Sequence, residues 1–400
     1  MNLLERFLTY VKIDTQSDEE SQTTPSSLKQ YDLLTLLKKQ LDELHVQNEL
    51  DQYGRLYAFL PGNEKMTPIG VCSHVDTALE CSGYNVRPQI IMHYEVNDIP
   101  LGTSGLFLSP KEFPKLKELE GNTIITTDGT TLLGADDKAG VAIIMDVVEK
   151  LSKLDKDAHA PMYILFTPDE EIGRGPEHFN TKKFACKFAY TVDGDDPKYA
   201  EIENFNASSI KVSVTGKSIH PGSAKGLMVN AILVLHYFME QLPRDMIPSK
   251  TENREGFNHV TNIVGNVEHA EAHYILRNHD QNKLNEQVKD FNKALDVTKL
   301  AYPGAIIDLE YATQYRNMYE IIEKHPECKL HIEKVYKDLN LPLEYKPIRG
   351  GTDGATFSFK GVPCPNIGTG SYNHHGKFEF AVLEEMELLS KIVERIFTIK

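Results

Sequence analysis

The sequence predicts an α/β fold in which a mixed sheet lies between helices, with a smaller α+β domain inserted into it. Three observations predict this fold. Strand-like apolar runs alternate with helical patterns in the first half of the chain, a β-α-β-β-α-β order begins near residue 208, and helical patterns return after about residue 316. Open sheets of this class build their sites where strands end, so residues at those points are the functional candidates.

The first half supplies the alternation. Strands are predicted for IGVCSH at 69–74, MYILFT at 162–167 and KFAYTVD at 187–193, and a helix is predicted from about Gly140. Residues 85–131 show no regular pattern and are predicted to be a long irregular excursion.

The inserted domain is predicted to be ferredoxin-like, because its elements follow the β-α-β-β-α-β order. Strands are predicted at 209–216, 259–268, 272–280 and 305–315, with helices at 229–242 and 282–295. Helices and a strand-like PCPNIG follow. Because His375, which comes after them, is expected to rejoin candidate ligands from the first half, the first domain is predicted to be discontinuous. The predicted boundaries are 1–207 with 317–400 for this domain and 208–316 for the insertion.

Composition limits the partners and the location. The formal net charge of −15 disfavours nucleic acid and anionic membranes. No apolar run is long enough to cross a membrane and no signal peptide is recognisable, so we expect a cytoplasmic protein. The five cysteines lack CxxC spacing and fit reduced thiols, and Cys72 is expected to pack in the core.

The motif SHVDT lies at the end of the strand predicted at 69–74. His74 and Asp76 are two residues apart, so their side chains leave the same face. An imidazole can bind a metal ion through one nitrogen while a nearby carboxylate accepts the other N–H. The pair predicts a metal ligand, His74, and its orienting partner, Asp76; a solvated loop pair is the alternative.

Two acidic motifs lie at other turns. Asp136 in LLGADDKAG opens a helix, and its two oxygens can bridge two cations, whereas Asp137 either caps that helix or takes part in the chemistry. In TPDEEIGRG, Glu171 is predicted to bind metal and Glu170 to accept a proton from an attacking water. A solvated acidic loop is the alternative for this motif.

Asp193 in YTVDGDD and His375 in YNHHGKFEF complete a set of two imidazoles and three carboxylates. Such a set, with no thiolate, can hold two divalent ions, for which Zn²⁺ is preferred and Mn²⁺ or Co²⁺ are substitutes. Because an extended chain would send only one of two adjacent imidazoles toward the metal ions, His374 is expected to support His375. The set predicts a hydrolase.

Three further residues lie in or near the inserted domain: His220, Arg277 and Arg349. Guanidinium groups match carboxylates in a bidentate manner, so either arginine can anchor a substrate carboxylate. A surface or inter-domain ion pair is the alternative for each arginine.

These motifs together resemble the M20 group of dinuclear zinc peptidases, in particular the tripeptide aminopeptidases of the peptidase T type. The resemblance extends over nearly the whole chain, through SHVDT, NVRPQI, TTLLGADDKAG, FTPDEEIGRG, IENFNA, HPGSAKGLMVNA, HYILR, RGGTDG and HGKFEF. Phe378 stands where the family often carries His, at a position that is not a ligand.

The resemblance implies that Asp136 bridges two zinc ions, that His74 and Asp193 complete one site, and that Glu171 and His375 complete the other. It also implies that Asp76 orients His74, that Glu170 is the general base and that the peptide bond after Asp136 is cis. The discontinuous domain would be catalytic, and the inserted domain a lid or dimerisation domain.

The implied reaction is release of the N-terminal residue from tripeptides by a water that the two ions activate. His220 would stabilise the oxyanion, and Arg277 with Arg349 would hold the substrate's C-terminal carboxylate. A dipeptidase, carboxypeptidase or N-acyl amino acid hydrolase of the same group is the nearest alternative, and a non-catalytic peptide-binding protein is a remote one. A homodimer is expected.

Overall fold

The computed structural model describes residues 1–399, which fold into two compact units. The first unit comprises Met1–Ile202, Met318–Lys346 and residues 352–399, and the second comprises Glu203–Asn317 and Pro347–Gly351. The described residues contain nine α-helices: α1 (Leu3–Tyr10), α2 (Gln30–Glu43), α3 (Ala135–Leu151), α4 (Ala231–Glu240), α5 (Gln281–Ala301), α6 (Tyr319–Lys324), α7 (Pro326–Asp338), α8 (Asp353–Phe359) and α9 (Leu383–Thr398).

Ten strands precede the second unit in the chain: β1 (Gln47–Leu50), β2 (Leu56–Leu60), β3 (Ile69–His74), β4 (Gln89–Ile91), β5 (Ile99–Pro100), β6 (Phe107–Leu108), β7 (Ile124–Thr126), β8 (Met162–Thr167), β9 (Phe188–Gly194) and β10 (Tyr199–Glu201). The others are β11 (Asn206–Thr215), β12 (Phe257–Gly265), β13 (His269–Asn278), β14 (Ile306–Tyr315), β15 (Glu344–Tyr345), β16 (Asn366–Gly368), β17 (Ser371–Tyr372) and β18 (Phe380–Val382).

The main sheet of the first unit has eight strands in the order β1-β2-β8-β3-β9-β16-β10-β15. Its centre is parallel, since β3 pairs in parallel with β8 and β9, and β9 with β16. The pairs β1–β2, β2–β8 and β10–β16 are antiparallel, whereas β10 and β15 are parallel, so the sheet is mixed. The predicted α/β class is confirmed.

Helices cover this sheet on two faces. On one face, Cys72 of β3 and Leu165 of β8 pack with Phe357 of α8. On the other face, the hydroxyl of Ser73 donates to Asp137 at the start of α3. The alternation of β3 therefore places the sheet between α3 and α8.

The excursion at 85–131 is more ordered than the sequence predicted. It contributes β4 and β7 to a four-stranded sheet of order β17-β18-β7-β4, together with the β5-β6 pair. A cluster of buried side chains, including Leu101, Leu108, Leu116 and Phe380, joins it to the C-terminal segment. The segment lacks a recognisable pattern because its strands are only two or three residues long and irregular turns bury its apolar side chains.

The second unit contains the predicted β-α-β-β-α-β order, as β11-α4-β12-β13-α5-β14. Its antiparallel sheet has the order β12-β13-β11-β14. Residues of the sheet and of α4 and α5 form one apolar core, which includes Val212, Phe238, Leu276 and Phe291. The ferredoxin-like prediction matches this arrangement.

The bounds of the second unit differ slightly from the predicted 208–316, because residues 203–207, 317 and 347–351 lie with it. The ring of His279 contacts the carbonyl oxygen of Ile348 at 3.0 Å, and Asn204 forms a bridge with the same residue. A short segment that follows α7 is thereby tied to the second unit, a contact that no local sequence pattern predicts.

Candidate metal centre

Three parallel strands deliver candidate ligands to one edge of the main sheet. His74 is the last residue of β3, Asp193 lies near the end of β9, and the short 3-10 turn Glu170–Ile172 follows β8. Because these strands are parallel neighbours, their carboxyl ends meet at the same edge. The sequence prediction that the motifs follow strand ends is therefore met by the topology.

Asp136 reaches this edge from the start of α3. Its backbone is not yet helical, and the peptide bond between Asp136 and Asp137 is cis, as the resemblance implied. A methyl group on Gly140 would lie 1.9 Å from the carbonyl oxygen of Val192, so only glycine lets α3 approach β9 this closely. This approach brings Asp136 and Asp193 to the same site.

The other four predicted ligands converge on Asp136. Its Oδ1 lies 3.0 Å from Nε2 of His74, which in turn lies 3.6 Å from Oδ1 of Asp193. Its Oδ2 lies 3.3 Å from Nε2 of His375, which lies 3.0 Å from Oε2 of Glu171. The two oxygens of one carboxylate thus face two different pairs of ligands.

Asp76 contacts both the His74 ring and the acidic turn Glu170–Ile172. Nδ1 of His74 lies 3.3 Å from its Oδ1 and 3.1 Å from its backbone carbonyl oxygen. The backbone N–H groups of Glu170 and Glu171 donate to its two carboxylate oxygens at 3.0 and 3.1 Å. One buried carboxylate therefore fixes both the His74 ring and the acidic turn, and the hydroxyl of Ser17 donates to it as well.

Replacing Asp76 with Asn is expected to weaken metal affinity by about 10–100-fold, the usual effect of removing a carboxylate that orients a ligating imidazole. Competition with a fluorescent chelator measures the affinity. Ser17→Ala, which removes one donor to Asp76 and leaves His74 held, is the control and should retain most of the affinity. Equal affinity of Asp76→Asn and wild type would contradict the orienting role.

Two acidic residues beside the ligands have structural partners. Asp137 accepts hydrogen bonds from the Ser73 hydroxyl and, at 3.2 Å, from the N–H of Gly140, which is a capping interaction within the first turn of α3. Asp169 accepts from Ser26 and, at 2.6 Å, from the amide of Gln30, and so ties the acidic turn to α2. Of the two readings left open for Asp137, capping matches these contacts.

The two adjacent histidines separate as the sequence suggested. The ring of His374 lies 2.9 Å from the Ser371 hydroxyl through Nε2, and its Nδ1 is 3.6 Å from Asp136. The ring of His375 lies closer to the ligand set, and its other nitrogen faces Glu80 at 3.4 Å. Glu80 is a partner that the sequence analysis missed, since nothing in SHVDTALE distinguishes it from an exposed loop residue.

Glu379 was also missed, although it lies in the HGKFEF motif. Its carboxylate is 1% exposed and accepts three backbone N–H groups from the loop before α3: those of Leu133 and Gly134 at 2.8 Å and that of Asp136 at 3.0 Å. It therefore sets the position of Asp136. A buried acid three residues after a glycine carries no sequence signal for such a role.

Replacing Glu379 with Gln is expected to lower the free energy of unfolding by about 1–3 kcal/mol, because at least one backbone N–H would lose its buried acceptor. It should also weaken metal binding through the displaced Asp136 loop. Urea unfolding of the metal-free protein measures the first effect. Glu387→Gln, an exposed change on α9, is the matched control, and a Glu379 variant as stable as this control would refute the assignment.

The site carries an excess of negative charge. Burial raises the pKa of Glu171 to about 7 and that of Glu170 well above its usual range. Hydrogen bonds to Asp136 and Glu171 raise the pKa of His375 to about 12, so in the absence of a cation its imidazolium serves as their counter-charge. Asp353, buried against Thr167 nearby, has its pKa raised to about 7 by desolvation. A cation of higher charge is what such a cluster favours.

The donor set fits metal ions. Two groups of three side chains place one ligand atom each within 4.8 Å of the others: His74, Asp136 and Glu171, and His74, Asp137 and Asp193. Oε1 of Glu171 is buried and has no hydrogen-bond partner, as expected of a carboxylate oxygen whose partner is a cation. We assign Asp136, not Asp137, to the centre, because Asp137 already accepts protein donors.

The three remaining predicted residues lie in the second unit. His220 is exposed at the start of the 3-10 turn Pro221–Ser223. Arg277 lies in β13 with its guanidinium over the Tyr315 ring. Arg349 lies over the rings of Phe205 and Phe257, and its two terminal nitrogens donate to oxygens of Thr251, Asn253 and Glu255.

Comparison with known proteins identifies a family that matches this chain. The model of peptidase family M20/M25/M40 matches residues 127–398, a range that includes Asp136, Glu170, Glu171, Asp193 and His375. The chain belongs to this family. The resemblance expected from the sequence is thereby confirmed, and the candidate metal centre lies in a peptidase fold.

Individual relatives agree with the family match. Peptidase T of Escherichia coli K12 is 45% identical over 398 residues, which are 98% of this chain and 97% of that protein. Among solved structures, aminopeptidase PepT from Bacillus cereus has a TM-score of 0.75 at 20% identity, and a tripeptidase from Staphylococcus aureus has a TM-score of 0.75 at 21% identity. Both alignments cover 99% of this chain and 97% of the other, and they show that the fold is shared.

The M20 fold therefore extends over both units of the chain. Within residues 1–399, no helix combines the length and the apolar character that crossing a membrane requires.

Proposed function

We propose that this peptidase is a two-metal aminopeptidase that releases the N-terminal residue from tripeptides. The observation that carries the proposal is the convergence of four candidate ligands on Asp136, whose two oxygens face different ligand pairs. The 45% identity with Peptidase T supports a peptide substrate, and the motifs of the peptidase T type support tripeptides.

In this proposal Asp136 would contribute a ligand oxygen to each of two cations. His74 and Asp193 would complete one site, and Glu171 and His375 the other. Two imidazoles and three carboxylates suit Zn²⁺, with Mn²⁺ or Co²⁺ as substitutes. The ions, when bound, would lower the pKa of a water and polarise the substrate's carbonyl group.

Glu170 is the proposed general base. Its N–H is fixed by Asp76, while Glu171, the next residue, points its carboxylate at His375. Burial raises the pKa of Glu170, which favours proton uptake by its carboxylate. Glu170 would accept a proton from the attacking water as the C–O bond forms, and would deliver it to the leaving amine when the tetrahedral intermediate collapses and the C–N bond breaks.

His220 is proposed to stabilise the oxyanion of the tetrahedral intermediate. Its Nδ1 accepts the N–H of Gly222 at 3.1 Å, which places the proton of the neutral ring on Nε2. The exposed Nε2–H is then a donor for a developing negative charge.

Arg277 and Arg349 are the proposed anchors of the substrate's C-terminal carboxylate. Arg277 donates through Nη1 to the carbonyl oxygens of Ser208 and Leu276, which leaves Nη2 for a ligand. Both terminal nitrogens of Arg349 donate to protein oxygens, so its role in carboxylate binding would require one of these bonds to be exchanged. We therefore expect Arg277 to contribute more.

Replacing Arg277 with Gln is expected to raise KM for a tripeptide by about tenfold or more, because a charge-assisted hydrogen bond to the substrate is lost. KM for the corresponding C-terminal amide should change little. Steady-state kinetics on both substrates measures the difference, with Arg349→Gln as the paired variant. An equal loss on acid and amide would exclude Arg277 from carboxylate recognition.

A peptide-length panel tests the proposed activity. Mass spectrometry should find the N-terminal residue released from tripeptides at a higher kcat/KM than from dipeptides or longer peptides. Release of the C-terminal residue alone would indicate a carboxypeptidase, and cleavage of acylated amino acids alone would indicate an N-acyl amino acid hydrolase. The absence of any cleavage by zinc-loaded protein would leave the remote alternative, a peptide-binding protein.

Two lesser parts of the proposal concern location and assembly. Five cysteines without disulfide bonds fit the reducing cytoplasm, and the net charge of −15 disfavours nucleic acid and anionic membranes as partners. A homodimer stays a prediction, which sedimentation analysis can test.

A further inference from the structure

The second unit contains a mainly apolar cavity that the proposed reaction does not use. Its volume is about 390 Å³, which is ample for a small organic molecule. It lies between the end of α4, the segment that follows this helix, and strands β12 and β13. The apolar part of its wall consists of Met239, Leu242, Pro243, Ile247, Pro248 and Val260.

A chain of side-chain amides ends at this cavity, and its orientation is fixed by the backbone. The N–H of Asp280 donates to Oδ1 of Asn278 at 3.1 Å, so Nδ2 of Asn278 is the atom that donates to Oε1 of Gln287 at 2.9 Å. Nε2 of Gln287 then donates to the carbonyl oxygen of Phe257 at 3.0 Å and to Oδ1 of Asn258 at 2.7 Å. Each side-chain amide therefore has only one assignment of its oxygen and nitrogen atoms that satisfies these hydrogen bonds.

Asn258 is the last member of this chain and lines the cavity. Asn258 is 5% exposed, and its Nδ2 is buried and has no hydrogen-bond partner. A flip of the amide would not help, because Gln287 would then face a donor. A buried donor without an acceptor is costly, and the missing acceptor can be supplied from the cavity.

Four other polar residues line the same cavity: Arg244, Ser249, His259 and Tyr274. Arg244 brings a positive charge to its exposed side. Tyr274 is buried, and desolvation raises the pKa of its hydroxyl to about 12, so it is a neutral phenol at physiological pH. The polar part of the wall therefore offers an amide donor and a guanidinium group, both of which favour an anionic acceptor, together with a hydroxyl, an imidazole and a phenol.

We propose that this cavity binds a small monocarboxylate with an apolar body. The carboxylate would accept the unpartnered Nδ2–H of Asn258 and pair with Arg244, and the apolar body would pack against Met239, Ile247 and Val260. A single ordered water could satisfy Asn258, but it would occupy only about 30 Å³ and leave the apolar wall uncovered. The proposal does not depend on the peptidase activity.

The test uses metal-loaded, full-length protein with ¹³C-labelled methyl groups of methionine, isoleucine and valine. Hexanoate represents a free aliphatic acid, and N-acetyl-leucine represents the carboxyl end of a peptide. We expect at least one of them to shift the methyl signals of Met239, Ile247 and Val260 with saturation at a concentration of the order of 1 mM. Hexylamine, which has the same body without an acceptor, and acetate, which can reach the metal centre without filling the cavity, should leave these signals unchanged.

Two variants locate the binding at the proposed groups. Asn258→Asp keeps the shape of the side chain and an acceptor for Gln287, but it replaces the donor with a negative charge, so the affinity should fall at least about tenfold. Arg244→Gln should weaken binding as well, and because Arg244 is exposed this change leaves the core intact. Lys299→Gln on α5 is the control for the loss of one exposed positive charge in the same unit and should bind like wild type.

Signals that stay unchanged at concentrations about tenfold above the expected saturation would overturn the proposal and indicate that water alone fills the cavity. Binding that is equal in wild type, Asn258→Asp and Arg244→Gln would overturn it too, because the carboxylate would then lie elsewhere. If Asn258→Asp fails to fold, Arg244→Gln and Lys299→Gln decide the question.

Discussion

Replacing Glu170 with Gln is expected to reduce kcat on a tripeptide by about 10²–10⁴-fold, the range that a positioned general base contributes. Metal content should stay at the wild-type value, because Glu170 is not among the side chains that face Asp136. Gln keeps the size of the side chain and removes only its ability to accept the proton. Steady-state kinetics and elemental analysis of the same preparation measure the two quantities.

The neighbouring glutamate supplies a matched comparison. Glu171→Gln removes a ligand and should lose metal along with activity, whereas Glu177→Gln, an exposed change nearby, should alter neither. A Glu170→Gln protein with full metal content and wild-type kcat would refute the assignment of the base. Loss of metal from both Glu170→Gln and Glu171→Gln would mean that the two residues do not have separate roles.

Replacing Asp136 with Ala is expected to have the second large effect, the loss of both metal ions. Its Oδ1 faces His74 and its Oδ2 faces His375, so each proposed ion depends on this carboxylate. Asp193→Ala and His375→Ala each remove a ligand of only one ion and should leave the other in place. Elemental analysis after dialysis against metal-free buffer gives the number of ions per chain.

This comparison separates a bridging carboxylate from an ordinary ligand. The order expected is two ions for wild type, one for Asp193→Ala and His375→Ala, and none for Asp136→Ala. An Asp136→Ala protein that retains one tightly bound ion would show that the two sites are independent. Circular dichroism of each variant guards against loss of the fold.

The sequence predicted the central strands well because each is a short apolar run that ends at a turn. The strand predictions at 69–74 and 162–167 coincide with β3 and β8. A helix was predicted from about Gly140 and α3 begins at Ala135, but Asp136 and Asp137 have non-helical backbone angles, so the regular helix begins closer to the predicted residue. The small sheet that includes β4 and β7 was not predicted, since its strands are brought together by contacts between remote segments.

The candidate site likewise contains residues that could be predicted from the sequence and residues that could not. Candidate ligands could be recognised from the sequence because His, Asp and Glu beside glycine at strand ends are informative in a parallel sheet. The residues that hold those ligands could not be recognised. Glu80 and Glu379 act through contacts with a ring or with backbone N–H groups that only the folded chain brings together.

The most direct test of the account is anomalous diffraction from crystals grown with Zn²⁺. The account predicts two peaks per chain on either side of the Asp136 carboxylate, one beside His74 and Asp193 and the other beside Glu171 and His375. A single peak, or peaks that lie away from Asp136, would contradict it.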